Sequence, residues 1–219
     1  MRIGVLGGTG PAGQALAARL ASIGVEVTVG SRSRERAAEI CNTLRGKWPG
    51  LRLPIVPGDN AEAAAADLVV VATPWDAAAP TVESQADPLA GKVVISMANA
   101  LARVGREFIP LVPPRGSIAA GIQRAVPRAL VSAAFHHLPA RELGNLERDL
   151  DADVLVCSDH PEATAATSEL INKVPGLRAV DAGSLSSAMA IEALTPILLE
   201  VNVRYKTHTS IRLTNLDLG

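Results

Sequence analysis

The chain has 219 residues, 48% of them hydrophobic but only 2% aromatic, and a formal charge of −1. Such a length suits one large or two small domains, with Ala, Val, Leu and Ile filling the core. A charge so near zero argues against general affinity for nucleic acid or an anionic membrane surface. Cys41 and Cys157 fit no metal or redox spacing and read as reduced thiols, and no metal site is expected. Met1 leads directly into the first strand, so no signal peptide is expected. No run of about twenty apolar residues occurs, so no membrane span is expected either, and the location expected is cytoplasmic.

Arg2 to Leu6 reads as a strand and Pro11 to Ile23 as a helix, with Gly8, Gly10 and Gly13 between and just inside them. Such glycines allow a tight turn and leave room for a pyrophosphate on helix N–H groups. Val25 to Val29 is a second strand, ending in Gly30-Ser31-Arg32. An Asp or Glu at this tip would accept the ribose hydroxyls of NAD. A hydroxyl and a guanidinium, with Arg34 and Arg36 close behind, suit the extra phosphate of NADP instead. The plainer reading of the same tip is an exposed polar loop.

Arg34 to Arg45 follows as a helix, broken by Pro49-Gly50. Leu51 to Val56 reads as a short strand closed by Pro57-Gly58, and Asp59 as the cap of an Ala-rich helix ending near Ala66. Leu68 to Ala72 is a continuous apolar run, as expected of a strand covered on both faces, with Thr73-Pro74-Trp75 at its carboxyl end. Lys92 to Ser96 is a fifth strand. The alternation predicts an α/β, Rossmann-type doubly wound parallel sheet. Ligands bind such sheets beyond the carboxyl ends of the strands, which gathers Gly8 to Gly13, Ser31 to Arg36, Ala72 to Trp75 and Ser96-Met97-Ala98 on one edge.

The remainder is less regular. Pro110 to Gly116 reads as a rigid loop, Ser117 to Val126 as a helix, and Leu130 to Phe135 as a strand ending in His136-His137-Leu138-Pro139-Ala140. Asp153 to Cys157 and Leu177 to Val180 read as strands around the helix Pro161 to Val174. Ser184 to Leu194 reads as helix, and Pro196 either kinks it or starts a second segment. Leu194, Ile197, Leu198 and Val201 form an apolar stripe, either core or a dimer contact. The predicted division is residues 1–140 as the nucleotide domain and 141–219 as a smaller α/β extension.

Familiar proton-transfer groups are missing. The only tyrosine, Tyr205, is followed four positions on by Thr209, so a Tyr-x-x-x-Lys pair is unavailable. The helix Ser184 to Leu194 holds no lysine, and no Gly-x-Ser-x-Gly or His-Glu-x-x-His occurs. Adjacent His136 and His137 on a strand would point to opposite faces, a poor metal pair. A dinucleotide fold without an obvious acid or base points to a hydride acceptor that needs little proton transfer, such as a flavin or deazaflavin. Most of the rate would then come from positioning.

Met1-Arg-Ile-Gly-Val-Leu-Gly-Gly-Thr-Gly10, Val29-Gly-Ser-Arg32, Thr73-Pro-Trp75, Ala134-Phe-His-His-Leu-Pro-Ala140, Asp181-Ala-Gly-Ser-Leu185 and Glu192-Ala-Leu-Thr-Pro196 occur in that order. In these stretches the chain closely resembles the coenzyme F420-dependent NADP oxidoreductases. The resemblance implies reversible hydride transfer between NADPH and the deazaflavin F420 in a homodimer. It implies that NADP lies along Thr9 to Ala12, with its 2′-phosphate on Ser31, Arg32 and Arg36, and passes Ala72 to Trp75. The deazaflavin then stacks near Ser96 to Ala98 and Phe135 to Pro139, with His136, His137 and Pro139 positioning the rings. Its anionic tail finds candidate partners in Arg103, Arg106, Arg115, Arg204, Lys206 and Arg212. Two other readings remain open: an NADPH-binding sensor without turnover, and an NADPH-dependent flavin or ferric reductase.

Overall fold

The computed structural model describes residues 1–216; the last three residues of the expected 141–219 extension lie outside the described residues. Strand β1 (Arg2–Leu6) enters the core at once, with Ile3 to Leu6 buried. Helix α1 (Pro11–Ser22), β2 (Glu26–Ser31), α2 (Arg34–Lys47) and β3 (Ile55–Asp59) follow, then α3 (Asn60–Ala64), β4 (Leu68–Val71), α4 (Trp75–Glu83), α5 (Ala86–Leu89) and β5 (Val93–Ser96). A hairpin of β6 (Leu101–Val104) and β7 (Glu107–Pro110) leads to α6 (Ile118–Ala125), β8 (Leu130–Ala133) and α7 (Ala140–Leu143). The chain ends with β9 (Ala152–Ser158), α8 (Pro161–Asn172), β10 (Leu177–Asp181), a 3-10 turn at Leu185–Ser187 and α9 (Ala188–Tyr205).

Eight strands form one sheet in the order β10-β9-β8-β5-β4-β1-β2-β3. Neighbours from β3 to β8 are all parallel, whereas β8 and β9 are antiparallel. The expected doubly wound α/β fold is therefore present, and the C-terminal segments lengthen the same sheet. Alternate side chains feed two apolar layers. Ile3, Val5 and Val70 face α1, α2 and α8 through Leu16, Leu20, Ile40 and Leu170. Leu6, Val69 and Val71 face α3 to α6 through Ala63, Val82 and Ile122. Burying both faces is what β4, a run of Leu-Val-Val-Val, requires.

Several elements differ from the sequence reading. The third strand lies at Ile55–Asp59 rather than Leu51 to Val56, so Pro57 and Gly58 are inside it, paired with Val29 and Gly30. β3 is the sheet edge, where the N–H that proline lacks has no neighbour to meet. The strand predicted to end at Phe135 stops at Ala133, and Phe135 adopts a left-handed φ of 67° although fully buried. Such a conformation costs a non-glycine residue on the order of 1–3 kcal/mol, and the surrounding packing must supply that. Pro196 does not split the last helix, which runs unbroken through it. The segment Leu185–Tyr205 is, by length and composition, apolar enough to cross a membrane, contrary to the expectation that no such run exists.

Candidate functional site

Order reverses between β1 and β4, and the segments following these two strands meet there. Gly7 stands at φ 74°, and a Cβ on it would lie 2.8 Å from the backbone nitrogen of Thr73. Gly13 packs the first turn of α1 against the loop, since a Cβ there would lie 2.7 Å from the Gly7 carbonyl oxygen. Around Gly10, by contrast, the nearest atom to such a Cβ is 3.5 Å away, so the outer rim is open. Gly10 is the N-cap residue and offers no side-chain cap, and the first intrahelical acceptor bond runs from Gln14 N–H to the Gly10 carbonyl at 2.9 Å. Pro11 has no N–H, so Ala12 and Gly13 are the first-turn donors that α1 itself leaves unpaired. The Gln14 side chain donates to the Thr9 carbonyl at 2.6 Å and holds the turn's shape.

Ser31 closes β2, buried, with its hydroxyl accepting the Ser33 N–H at 3.2 Å. Ser33 caps α2 by accepting the Arg36 N–H. Three arginines follow the strand tip, and two are committed. Arg34 pairs with Glu62, and Arg36 with Glu39 at 2.9 Å. Arg32 is exposed and has no carboxylate partner among the described residues. Nearby, the Asn60 side-chain oxygen is buried without a hydrogen-bond partner. Thr73 Oγ1, after β4, is orphaned in the same way.

The open rim, the unpaired amides, the free guanidinium and the orphaned oxygens all occupy one edge. They fit an extended molecule bearing phosphates and hydroxyls. Asn60 and Gln14 were missed by the sequence reading; an Asn directly behind the helix-capping Asp59 carries no periodic or motif signal.

The other half of the predicted site is closed. Met97, Ala98, Phe135, His136 and His137 are all buried, whereas Trp75 and Pro74 are exposed and Pro139 is partly so. The two histidine rings meet edge to face, with centroids 5.5 Å apart. Burial pushes His136 down to about 3, aided by its neighbour His137. Burial likewise holds His137 at about 4, against the opposing pull of its backbone hydrogen bond and of Asp153. Both imidazoles are thus neutral near pH 7. Ser96 Oγ and both His136 ring nitrogens are buried without partners just behind this wall.

Two interactions from the last helix reach the same wall. The Thr195 hydroxyl lies 3.0 Å from the His136 carbonyl oxygen and 3.1 Å from Asn99 Oδ1, and Asn99 Nδ2 donates to that carbonyl at 2.8 Å. Beside α6 lies a cavity of about 720 Å3, whose lining includes Arg115, Ser117, Gln123, Arg124, Leu185 and Met189.

Comparison with known proteins shows what the chain as a whole is similar to. The family profile described as NADP oxidoreductase, coenzyme F420-dependent, matches residues 2–100. An F420-dependent NADP reductase of Methanocaldococcus jannaschii is 35% identical over 224 aligned positions covering 100% of both chains. The rat metalloreductase STEAP3 is 30% identical, but the match covers 90% of this chain and only 37% of that protein. A solved structure from Arthrobacter sp. FB24, described as a candidate F420-dependent NADP-reductase, superposes with a TM-score of 0.82 at 27% identity, covering 97% of this chain and 100% of that one. A glycine-walled turn at the switch point of the sheet, joined to likeness along the whole chain, makes this protein a member of the F420-dependent NADP oxidoreductase family.

Proposed function

We propose that the chain transfers a hydride reversibly between NADPH and coenzyme F420. The full-length likeness to F420-dependent NADP reductases carries this reading. The two cofactors supply the redox chemistry themselves, one as hydride donor and the other as acceptor. The protein binds, aligns and dries. Gly8 to Gly13 hold the pyrophosphate on the amides of Ala12 and Gly13, and Arg32 with Ser31 holds the 2′-phosphate. Thr73, Pro74 and Trp75 border the path to the nicotinamide. Arg36 contributes less than Arg32, because Glu39 already engages it.

His136 and His137 serve as the neutral wall beneath the ring site, with Met97, Ala98 and Phe135, and Pro139 lies at its rim. Two neutral imidazoles with depressed basicity relay no proton in this role. Residues 1–140 hold the nucleotide, and the segments beyond complete the deazaflavin side. The cationic partners of the deazaflavin tail are the arginines on the open side of α6, Arg115 foremost. A second copy of the chain covers α9, whose Ile197 and Val203 are exposed apolar side chains on a helix that packs against β7. That covering also accounts for the apolar composition of Leu185–Tyr205 without a membrane, and a cytoplasmic location goes with this reading.

Mixing the protein with NADPH and the oxidised deazaflavin, and following deazaflavin absorbance, tests the reading. Bleaching at a rate proportional to enzyme is expected. NADPH binding without bleaching would make the protein a sensor instead. Bleaching of flavin or reduction of ferric chelates in preference to the deazaflavin would place it with the reductases of those acceptors.

A further inference from the structure

Glu192 lies on α9 with its side chain buried, in a stretch that is otherwise Ala, Met, Ile and Leu. Its two carboxylate oxygens accept the backbone N–H groups of Ile118 at 2.8 Å and Ala119 at 3.1 Å. These are the first two residues of α6. Ser117 caps the same helix end by accepting the Ala120 N–H at 3.0 Å. The first three N–H groups of α6 are therefore satisfied, two of them by a different helix.

One turn further along α9 stands Thr195, on the same side because residues three apart in a helix are neighbours. Its hydroxyl reaches Asn99 and the His136 carbonyl, one in the segment after β5 and one in the segment after β8. Pro196 follows directly, so no N–H at that position bonds back to the Glu192 carbonyl. The helix nevertheless runs unbroken through both anchors, so the seating of Glu192 carries over to the placement of Thr195 one turn away.

We infer that Glu192 is a positioning residue for the hydride transfer, acting through Thr195. By pinning α9 to the start of α6, it sets the two segments that wall the deazaflavin side. The inference rests on the proposed function for its catalytic consequence but on geometry alone for its structural one. Burial also holds the carboxyl up at about 7, against the two amides that favour its charged form, so the anchor is a group under electrostatic tension.

The test uses the full chain with Glu192→Gln, which keeps one acceptor oxygen, and Glu192→Ala, which keeps none. Amide exchange read by mass spectrometry needs no turnover. Peptides covering 97–99 and 135–138 should exchange at least ~10-fold faster in Glu192→Gln, while the peptide covering 8–14 is unchanged. In turnover, kcat/KM for the deazaflavin should fall roughly 10-fold with NADPH affinity within about twofold. Combining Glu192→Ala with Thr195→Val should be no worse than the poorer single variant within about twofold, the signature of one shared path. Exchange confined to 116–120, acceleration spread evenly over the chain, or additive losses in the double variant would each overturn the inference. If the unaltered chain bleaches no deazaflavin, the proposed function fails, and the exchange pattern still decides the role of Glu192.

Discussion

The Nε2 atom of His137 accepts the backbone N–H of Leu155 at 3.1 Å. β9 runs past the carboxyl end of β8, because Ala133 pairs with Cys157 and leaves Ala152 to Val156 without a β8 neighbour. His137 fills one gap, and the Ile211 carbonyl accepts the Asp153 N–H at 2.7 Å in another. An imidazole can do this only as the neutral tautomer protonated on Nδ1, since a protonated ring has no acceptor.

Acid should therefore unfold the protein early. Both histidines have folded values well below the ordinary 6.5, at about 3 and about 4. The unfolded chain binds those protons as pH drops through 6.5, while the folded chain does not, so stability falls over that window. Two such groups should remove on the order of 3 kcal/mol between pH 7 and pH 5. Glu192, held up at about 7 and so gaining its proton in the folded chain, returns roughly 2 kcal/mol of that, and the histidine loss is read in full in a Glu192→Gln background. Urea midpoints across this range measure it. A flat profile in that background would contradict the buried, neutral assignment. Asp153 adds to the loss at lower pH, as its hydrogen bonds to Arg178, Leu213 N–H and Arg212 hold it below the usual carboxylate range.

Discrimination between NADPH and NADH should rest on Arg32. Arg34 and Arg36 each have a carboxylate, at Glu62 and Glu39, so removing them frees an acid as well as a base. Arg32→Ala should raise KM for NADPH roughly tenfold to a hundredfold, the range for losing one charge-assisted bond, and leave NADH nearly unchanged. Arg36→Ala should shift the ratio far less. An unchanged ratio in Arg32→Ala would remove the assignment.

Gly13→Ala should cost nucleotide affinity more than it costs the fold. The added methyl would stand 2.7 Å from the Gly7 carbonyl oxygen and 2.9 Å from the Gly8 Cα, both backbone atoms that cannot rotate away. The turn must open to admit it, which carries an overpacking strain of about 1–3 kcal/mol and misplaces the Ala12 and Gly13 amides. Fluorescence titration with NADPH should show at least ~10-fold weaker binding. Normal affinity would mean that the pyrophosphate lies elsewhere.

The nucleotide half was legible because its signals are local. Apolar β1, the glycines and the helix behind them are contiguous, and their geometry follows from backbone sterics. The third strand was misplaced because Pro57-Gly58 is a breaker in a central strand but not on an edge, and edge position is a tertiary fact. The reversal of β9 is equally tertiary: Val-Leu-Val-Cys has the same pattern in either direction. The hairpin Leu101 to Pro110 was assigned no element, only Pro110 to Gly116 being read as a loop, since Leu-Ala-Arg-Val and Glu-Phe-Ile-Pro alternate weakly. Glu192 entered the sequence reading only as the first residue of the stretch Glu192 to Pro196, with no role of its own. Its one signal was its place three residues before Thr195, which gains meaning only when α6 is known to begin beside it.

Among the cations proposed for the deazaflavin tail, the structure separates those already engaged from those that are not. Arg212 donates to buried Asp153 at 2.9 Å and also pairs with Asp151, and its neighbour Leu213 donates its N–H to Asp153 at 2.6 Å. That cluster seats the segment after α9 against β9. Arg103 lies over the Phe108 ring at 5.8 Å and stiffens the hairpin. Arg115 is different: it follows Pro113-Pro114, precedes Gly116 at φ 85°, and lines the cavity beside α6 together with Arg124. A rigid loop presents it with little conformational entropy left to lose on binding. Arg115→Ala should therefore raise KM for the tailed deazaflavin several-fold, with the effect shrinking in high salt and vanishing for a deazaflavin without its tail. Arg212→Ala should leave that KM alone and lower the urea midpoint instead. Steady-state kinetics with both substrates, run beside the unfolding curves, separate these outcomes. An Arg212→Ala variant that lost affinity for the tail at unchanged stability would move the tail to the far side of β9.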